Sequence, residues 1–349
     1  MSLESFLHAI PKAELHVHLE GAMRPRTLLT LARRRRVTLP ADSEEGLREW
    51  FRFRDFDHFV EIYVTCSKCV RDPEDFQLLV RDFAADQAAE NIRHSEVHFT
   101  IGTHWLNGVA IDEVLDAMGE ALVTAQRDEN VTIRLIPDIV RDVGSKTADP
   151  TLDWALAAKK RGIAVALGLT GREALYPSEP YGDHFAEAAR HGLHCVAHAG
   201  EHAGPGAVYS VLDSCRAERI GHGVRSIEDE GLLDRLRDGR IPLEICPTSN
   251  ICLGLAPDLA HHPFDALLRS GLALTVNSDD PALFNTTLSE ELRRLGETFD
   301  YEPERLATLA LAGFEHSFLL PEEKRAALDA ARAEMIELAP EHLGRALEI

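Results

Sequence analysis

The chain has 349 residues, 45% of them hydrophobic, with 37 Lys and Arg against 58 Asp and Glu and a formal net charge of −21. That balance argues against nucleic-acid backbone as a partner, because phosphate binding needs clustered positive charge. No apolar run approaches the roughly 18 residues of a membrane span, and the first dozen residues lack the basic-then-apolar order of a secretory signal, so no membrane partner and a cytoplasmic location are expected.

In chain order, residues 13–19 read as a first strand carrying His16 and His18 as His-x-His. About 70 residues then precede the next strand, too many for one crossover, and 27–35, 44–51, 57–70 and 73–90 look helical there. This helical insertion, over approximately 25–90, is expected to pack over the mouth of the barrel. Further strands are predicted at 93–100, 131–141, 164–171, 194–201, 219–223, 242–250 and 272–280. Helix-period segments such as 111–126, 152–160, 184–190 and 263–270 lie between them, and 302–315 and 321–338 read as closing helices. Pro205-Gly206 and Gly171 are read as loop punctuation.

Strand–helix alternation repeated eight times implies a parallel sheet with right-handed crossovers. Eight units suggest closure into an α/β fold, a (β/α)8 TIM barrel. It is expected as one domain spanning 1–349, with the helical insertion after strand one and extra C-terminal helices. The six cysteines, Cys66, Cys69, Cys195, Cys215, Cys246 and Cys252, are too sparse for a disulfide framework. Cys66-x-x-Cys69 lies in a helical stretch with no matching second pair, and is read as buried thiols rather than a metal knuckle.

The polar residues that stand out sit near predicted strand ends, where barrel enzymes place catalysis. His16 and His18 alternate, so both face one side of their strand. His198 falls near the end of strand five and Asp279 at the end of strand eight. Buried charge is costly unless paired or ligated. Three imidazoles and a carboxylate converging there suit one Zn²⁺ or a similar divalent ion with room for water. Glu201, three residues after His198, is a candidate acid and base whose pKa a dry cleft would raise. His222, between Gly221 and Gly223, could take a proton from water or hold a hydroxide. Asp280, beside Asp279 on a strand, would point the other way and reach substrate. Gly168-Leu169-Thr170-Gly171 offers no residue to bridge a second metal, which favours one ion per chain. The unrelated zinc plan of His-x-Glu with Pro-Cys-x-x-Cys finds only its first half, in His94-Ser95-Glu96.

These motifs resemble the adenosine deaminase family of the amidohydrolase superfamily. The likeness runs from Pro11-Lys12-Ala13-Glu14-Leu15-His16-Val17-His18-Leu19-Glu20-Gly21 through His198-Ala199-Gly200-Glu201, Gly221-His222-Gly223 and Cys246-Pro247-Thr248-Ser249-Asn250 to Ser278-Asp279-Asp280-Pro281. The resemblance implies that His16, His18, His198 and Asp279 hold zinc and that Glu201 protonates ring N1. It implies that His222 orients and deprotonates the attacking water, that Asp280 bonds N7, and that Gly171 contacts N3 through its backbone. The expected reaction replaces the 6-amino group of an adenine nucleoside, adenosine or a 5′-modified adenosine such as aminodeoxyfutalosine, with oxygen. Free adenine is the alternative substrate. An ester- or amide-cleaving metallohydrolase and a non-catalytic metal-binding barrel are the competing classes. Glu20 stands where adenosine enzymes commonly carry Asp, and by its spacing from His18 is expected to meet a sugar hydroxyl. Arg172, with Arg24 and Arg26, is a candidate contact to an acidic 5′ group. The sequence says nothing of oligomeric state.

Overall fold

A computed structural model describes residues 2–349. Among them eight strands form one parallel sheet in the order β1 to β8. The strands are β1 (Lys12–His18), β2 (Ile92–Phe99), β3 (Thr132–Val140), β4 (Ala166–Thr170), β5 (His194–Ala199), β6 (Arg219–His222), β7 (Leu243–Ile245) and β8 (Leu274–Val276). Helices follow the strands as crossovers, so the architecture is a (β/α)8 barrel, as the alternation implies.

Across the seam between the last strand and the first, Asn277 Oδ1 accepts from the Leu15 and His16 backbone N–H groups, and the backbone bridge is made at Asp279. Asp279 accepts from the His18 backbone N–H at 2.7 Å and donates its own to the His16 carbonyl at 3.1 Å. The chain thus sets a carboxylate against the His-x-His strand where the barrel closes.

Helices Pro25–Arg35, Glu44–Trp50, Phe56–Lys68 and Pro73–Ala89 make up the insertion after β1. The Asp55 side chain caps Phe56–Lys68 by accepting from the His58 N–H at 2.8 Å. Phe56, Phe59, Val60, Tyr63 and Val64 follow the i, i+3, i+4, i+7, i+8 spacing of one helical face, and that face lines a cavity at the carboxyl ends of the strands. Helices Pro303–Glu315 and Pro321–Leu343 close the chain.

Two predicted strands run too long. β7 stops at Ile245 because Pro247 opens a helix, Pro247–Cys252, and proline suits a first helical turn. β8 stops at Val276, and Asp279 takes a left-handed backbone with φ 63°. Asp279 and Asp280 therefore diverge because the chain turns between them, not by strand alternation. Pro205 likewise opens a helix, Pro205–Ser214, where a loop was expected.

Candidate active site

His16 and His18 alternate on β1 and point into the barrel with His198 of β5 and Asp279. One donor atom from each of the four lies within 4.8 Å of the others, and all four residues are buried. Asp279 Oδ1 stands 3.4 Å from His16 Nε2 and 3.3 Å from His18 Nε2. The His198 Nδ1–H donates to the Leu169 carbonyl at 3.1 Å, which leaves Nε2 with its lone pair, 3.2 Å from His18 Nε2. The His16 Nδ1–H donates to Glu244 Oε2 at 2.8 Å, and His16 Nε2 is buried without a hydrogen-bond partner. Lone pairs crowded around one point in this way fit a divalent cation, and a second shell that fixes ring orientation is the usual accompaniment of imidazole ligation. The site is also built to hold positive charge. Burial opposes a charge on His16, yet Asp279 and Glu244 outweigh it and push its pKa up to about 10.

Around this group stand the other candidates. His222 Nε2 lies 3.8 Å from Glu201 Oε1 and 3.8 Å from Asp279 Oδ2, so the three side chains bracket a space that a water molecule or reacting oxygen would fill. His222 and Asp279 both hold positive φ, 59° and 63°, an uncommon state for non-glycine residues that clusters at functional sites. Burial pushes the Glu201 carboxyl up, but His222 and His202 outweigh it and hold it below the usual carboxylate value, the reverse of the expected rise. Asp280 goes the other way. Burial and the charge of Asp279 hold its carboxyl well above the usual range, and its Oδ1 has no partner. Gly21 makes room for it, since a Cβ there would fall 1.7 Å from Asp280 Oδ1.

The cavity over these groups has a volume of about 320 Å³. His18, His198, Glu201, His222, Asp279 and Asp280 form its floor, the apolar face of helix Phe56–Lys68 forms one wall, and Gly171 and Arg172 line the rim beyond β4.

Glu20 is not in this cavity. It is fully buried, and Oε1 accepts from the Thr100 N–H at 3.0 Å, the Thr100 hydroxyl at 2.6 Å and His104 Nε2 at 3.1 Å, while Oε2 accepts from the Tyr63 hydroxyl at 3.0 Å. Both oxygens already accept hydrogen bonds within the protein. The strand ends at His18, so the alternation that would aim Glu20 at the mouth no longer applies. Arg172 is also engaged, with Asp57 at 2.7 Å and Asp142 at 2.8 Å. Arg24 pairs with Asp86 at 2.5 Å. Cys66 and Cys69 are buried thiols, and among the described residues neither belongs to a grouping able to hold a metal.

Several residues here escape a reading of the sequence. Glu244 orients His16 and is itself held by Arg219 Nε at 2.5 Å; the same guanidinium reaches Glu96 at 2.6 Å. A lone Glu inside Leu243-Glu244-Ile245, with both neighbours apolar, was the available signal. Glu173 accepts from the Gly200, Glu201 and Ala203 N–H groups at 2.7–2.8 Å and so shapes the loop that presents Glu201. Asp138 of β3 occupies space left by Gly168, where a Cβ would fall 1.8 Å from its Oδ1, and accepts from His98 Nδ1 at 3.0 Å.

A (β/α)8 barrel with a buried imidazole–carboxylate group at the carboxyl ends of its strands is built like the metal-dependent barrel hydrolases. The chain is 37% identical to an adenine deaminase of Cupriavidus pinatubonensis, over 93% of this chain and 92% of that protein. It is also 37% identical to an aminodeoxyfutalosine deaminase of Streptomyces avermitilis, over 91% and 89%. A zinc-bound amidohydrolase structure from Burkholderia ambifaria superposes with a TM-score of 0.90 at 26% identity, covering 98% of this chain and 95% of that one. The adenosine deaminase family model matches residues 11–333, and the chain belongs to that family.

Proposed function

We propose that this purine deaminase hydrolyses the 6-amino group from an adenine ring, with one zinc ion held by His16, His18, His198 and Asp279. The observation that carries this reading is the convergence of that donor set with Glu201, His222 and Asp280 on one buried space. A bound zinc ion supplies Lewis acidity, which makes hydroxide accessible near neutral pH. The other groupings near the mouth that could hold a metal either share His16 or include Glu173, whose oxygens are taken up by three backbone N–H groups, so one ion is expected.

The side chains divide the remaining work. Glu201 gives a proton to N1 as an oxygen adds to C6, and that help is realised mainly in the transition state. A purine filling the cavity displaces water and strengthens the burial effect that already pushes Glu201 toward its protonated form. Asp280, kept protonated by its surroundings, donates to N7, an acceptor. The backbone at Gly171 meets the N3 edge. Ammonia leaves and the 6-oxo purine remains.

A cavity of about 320 Å³ is within the range that takes drug-sized ligands, and a bare purine would leave its lid side to water. This favours an adenine substituted at N9, adenosine or a 5′-modified adenosine. Free adenine is favoured instead by the likeness to adenine deaminases and by the engagement of Glu20 within the protein. A panel of adenine, adenosine, 2′-deoxyadenosine and 5′-modified adenosines, scored by kcat/KM, separates the two. The nucleosides should lead, and a clear lead for adenine would reverse the assignment.

A further inference from the structure

We propose that Asn250 and His262 are positioning residues that fix the tautomer of His222, so that it presents an Nε2–H donor to the reacting oxygen and does not take the proton of the attacking water. This rests on the deaminase reading above and adds to it the direction of one hydrogen bond.

Four groups in series carry the inference. The Phe264 backbone N–H lies 3.1 Å from His262 Nδ1. A backbone N–H can only donate, so Nδ1 is the acceptor and the proton of this imidazole sits on Nε2. His262 Nε2 is 3.0 Å from Asn250 Oδ1, which sets the amide with its oxygen toward His262 and its NH2 toward His222. Asn250 Nδ2 is 3.1 Å from His222 Nδ1. Nδ1 of His222 therefore accepts, and the neutral ring carries its proton on Nε2, the atom that faces Glu201 and Asp279 at 3.8 Å. Flipping any member would set two donors or two acceptors against each other. His222, Asn250 and His262 are all buried, so bulk water is not at hand to relieve such a clash. Burial also depresses the His262 pKa to about 4, which keeps that ring neutral.

An imidazole with its proton on Nε2 cannot accept another there. The water proton passes instead to Glu201, left as a carboxylate once N1 is protonated, while the remaining oxygen bonds to C6 and the His222 N–H holds it in place. The C6–N bond then breaks with that proton carried onto the departing ammonia, and the C6 hydroxyl proton restores the acid form of Glu201.

The test is long-range proton–nitrogen NMR on the zinc-loaded full chain labelled with ¹⁵N-histidine, with His222→Gln used to assign the resonance. Wild type should show a bare Nδ1 and a protonated Nε2 at His222. Asn250→Asp offers only acceptors and should move the proton to Nδ1, with zinc content unchanged and kcat down at least roughly 10-fold, since a wrong tautomer at a catalytic histidine can cost up to about 10⁴. His262→Gln, which keeps a donor, should retain more activity than His262→Leu. A wild-type Nδ1–H at His222, or a reversed tautomer at full kcat, overturns the inference. The tautomer is read independently of turnover. A wild-type Nε2–H in a protein that deaminates no aminopurine would leave the inference standing and remove the function on which it rests.

Discussion

A carboxylic acid that protonates a ring nitrogen must hold its proton when substrate is bound, yet Glu201 is held down by His222 and His202 in the protein alone. Glu201→Gln keeps the shape and removes the proton. It should lower kcat by roughly 10²–10⁴-fold while zinc content stays near one per chain; near-normal turnover would take Glu201 out of the chemistry. Gly21 makes a second single-residue test. Its missing side chain is the space Asp280 fills, so Gly21→Ala should displace Asp280 and cut kcat/KM while zinc remains bound. His262 carries a pH signature. Its folded pKa of about 4 lies below the ordinary 6.5 because burial disfavours its charge. As pH falls below 6.5 the unfolded chain takes up that proton and the folded chain does not. Its contribution is therefore fully present above pH 6.5 and drains away toward pH 4, by on the order of 1–3 kcal/mol. Denaturant midpoints between pH 7 and 4.5 should fall more steeply for wild type than for His262→Gln; parallel curves would contradict the shift.

The elements that build the barrel were legible because short β-rich runs alternate with helix-period segments. The candidate metal group was legible through its residue types, three imidazoles and a carboxylate placed at or just beyond the ends of β1, β5 and β8. What stayed hidden depends on partners far away in sequence. Glu173 matters through the Gly200–Ala203 backbone, and His262 through Asn250. Glu20 bonds Thr100, His104 and Tyr63, partners that its spacing from His18 does not show. Helix Phe56–Lys68 was legible as a helix; its role as a wall over the mouth follows from the spacing of Phe56, Phe59 and Tyr63. Arg172 ties the start of that helix, through Asp57, to Asp142. Part-exposed ion pairs are worth little, about 0.2–1 kcal/mol each. Arg172→Ala should accordingly lower kcat/KM by no more than about 30-fold, and equally for all aminopurines. A loss confined to substrates bearing a carboxylate would make Arg172 a reader of the 5′ group instead.

At the scale of the molecule, closing the barrel also brings the candidate site together, because Asp279 makes the backbone bridge to β1 and belongs to the group that could hold a metal. His18→Ala or Asp279→Ala should lose zinc and activity together, whereas Glu201→Gln should lose activity alone. The central claim is hydrolysis at C6 of an adenine ring, and the most direct measurement is mass spectrometry of the product formed by the zinc-loaded enzyme in oxygen-18-labelled water. The account predicts a 6-oxo purine carrying one labelled oxygen at C6, with one ammonia released per turnover and the bond at N9 intact. An unlabelled product, cleavage at N9, or no turnover of any 6-aminopurine with the metal group filled would contradict it.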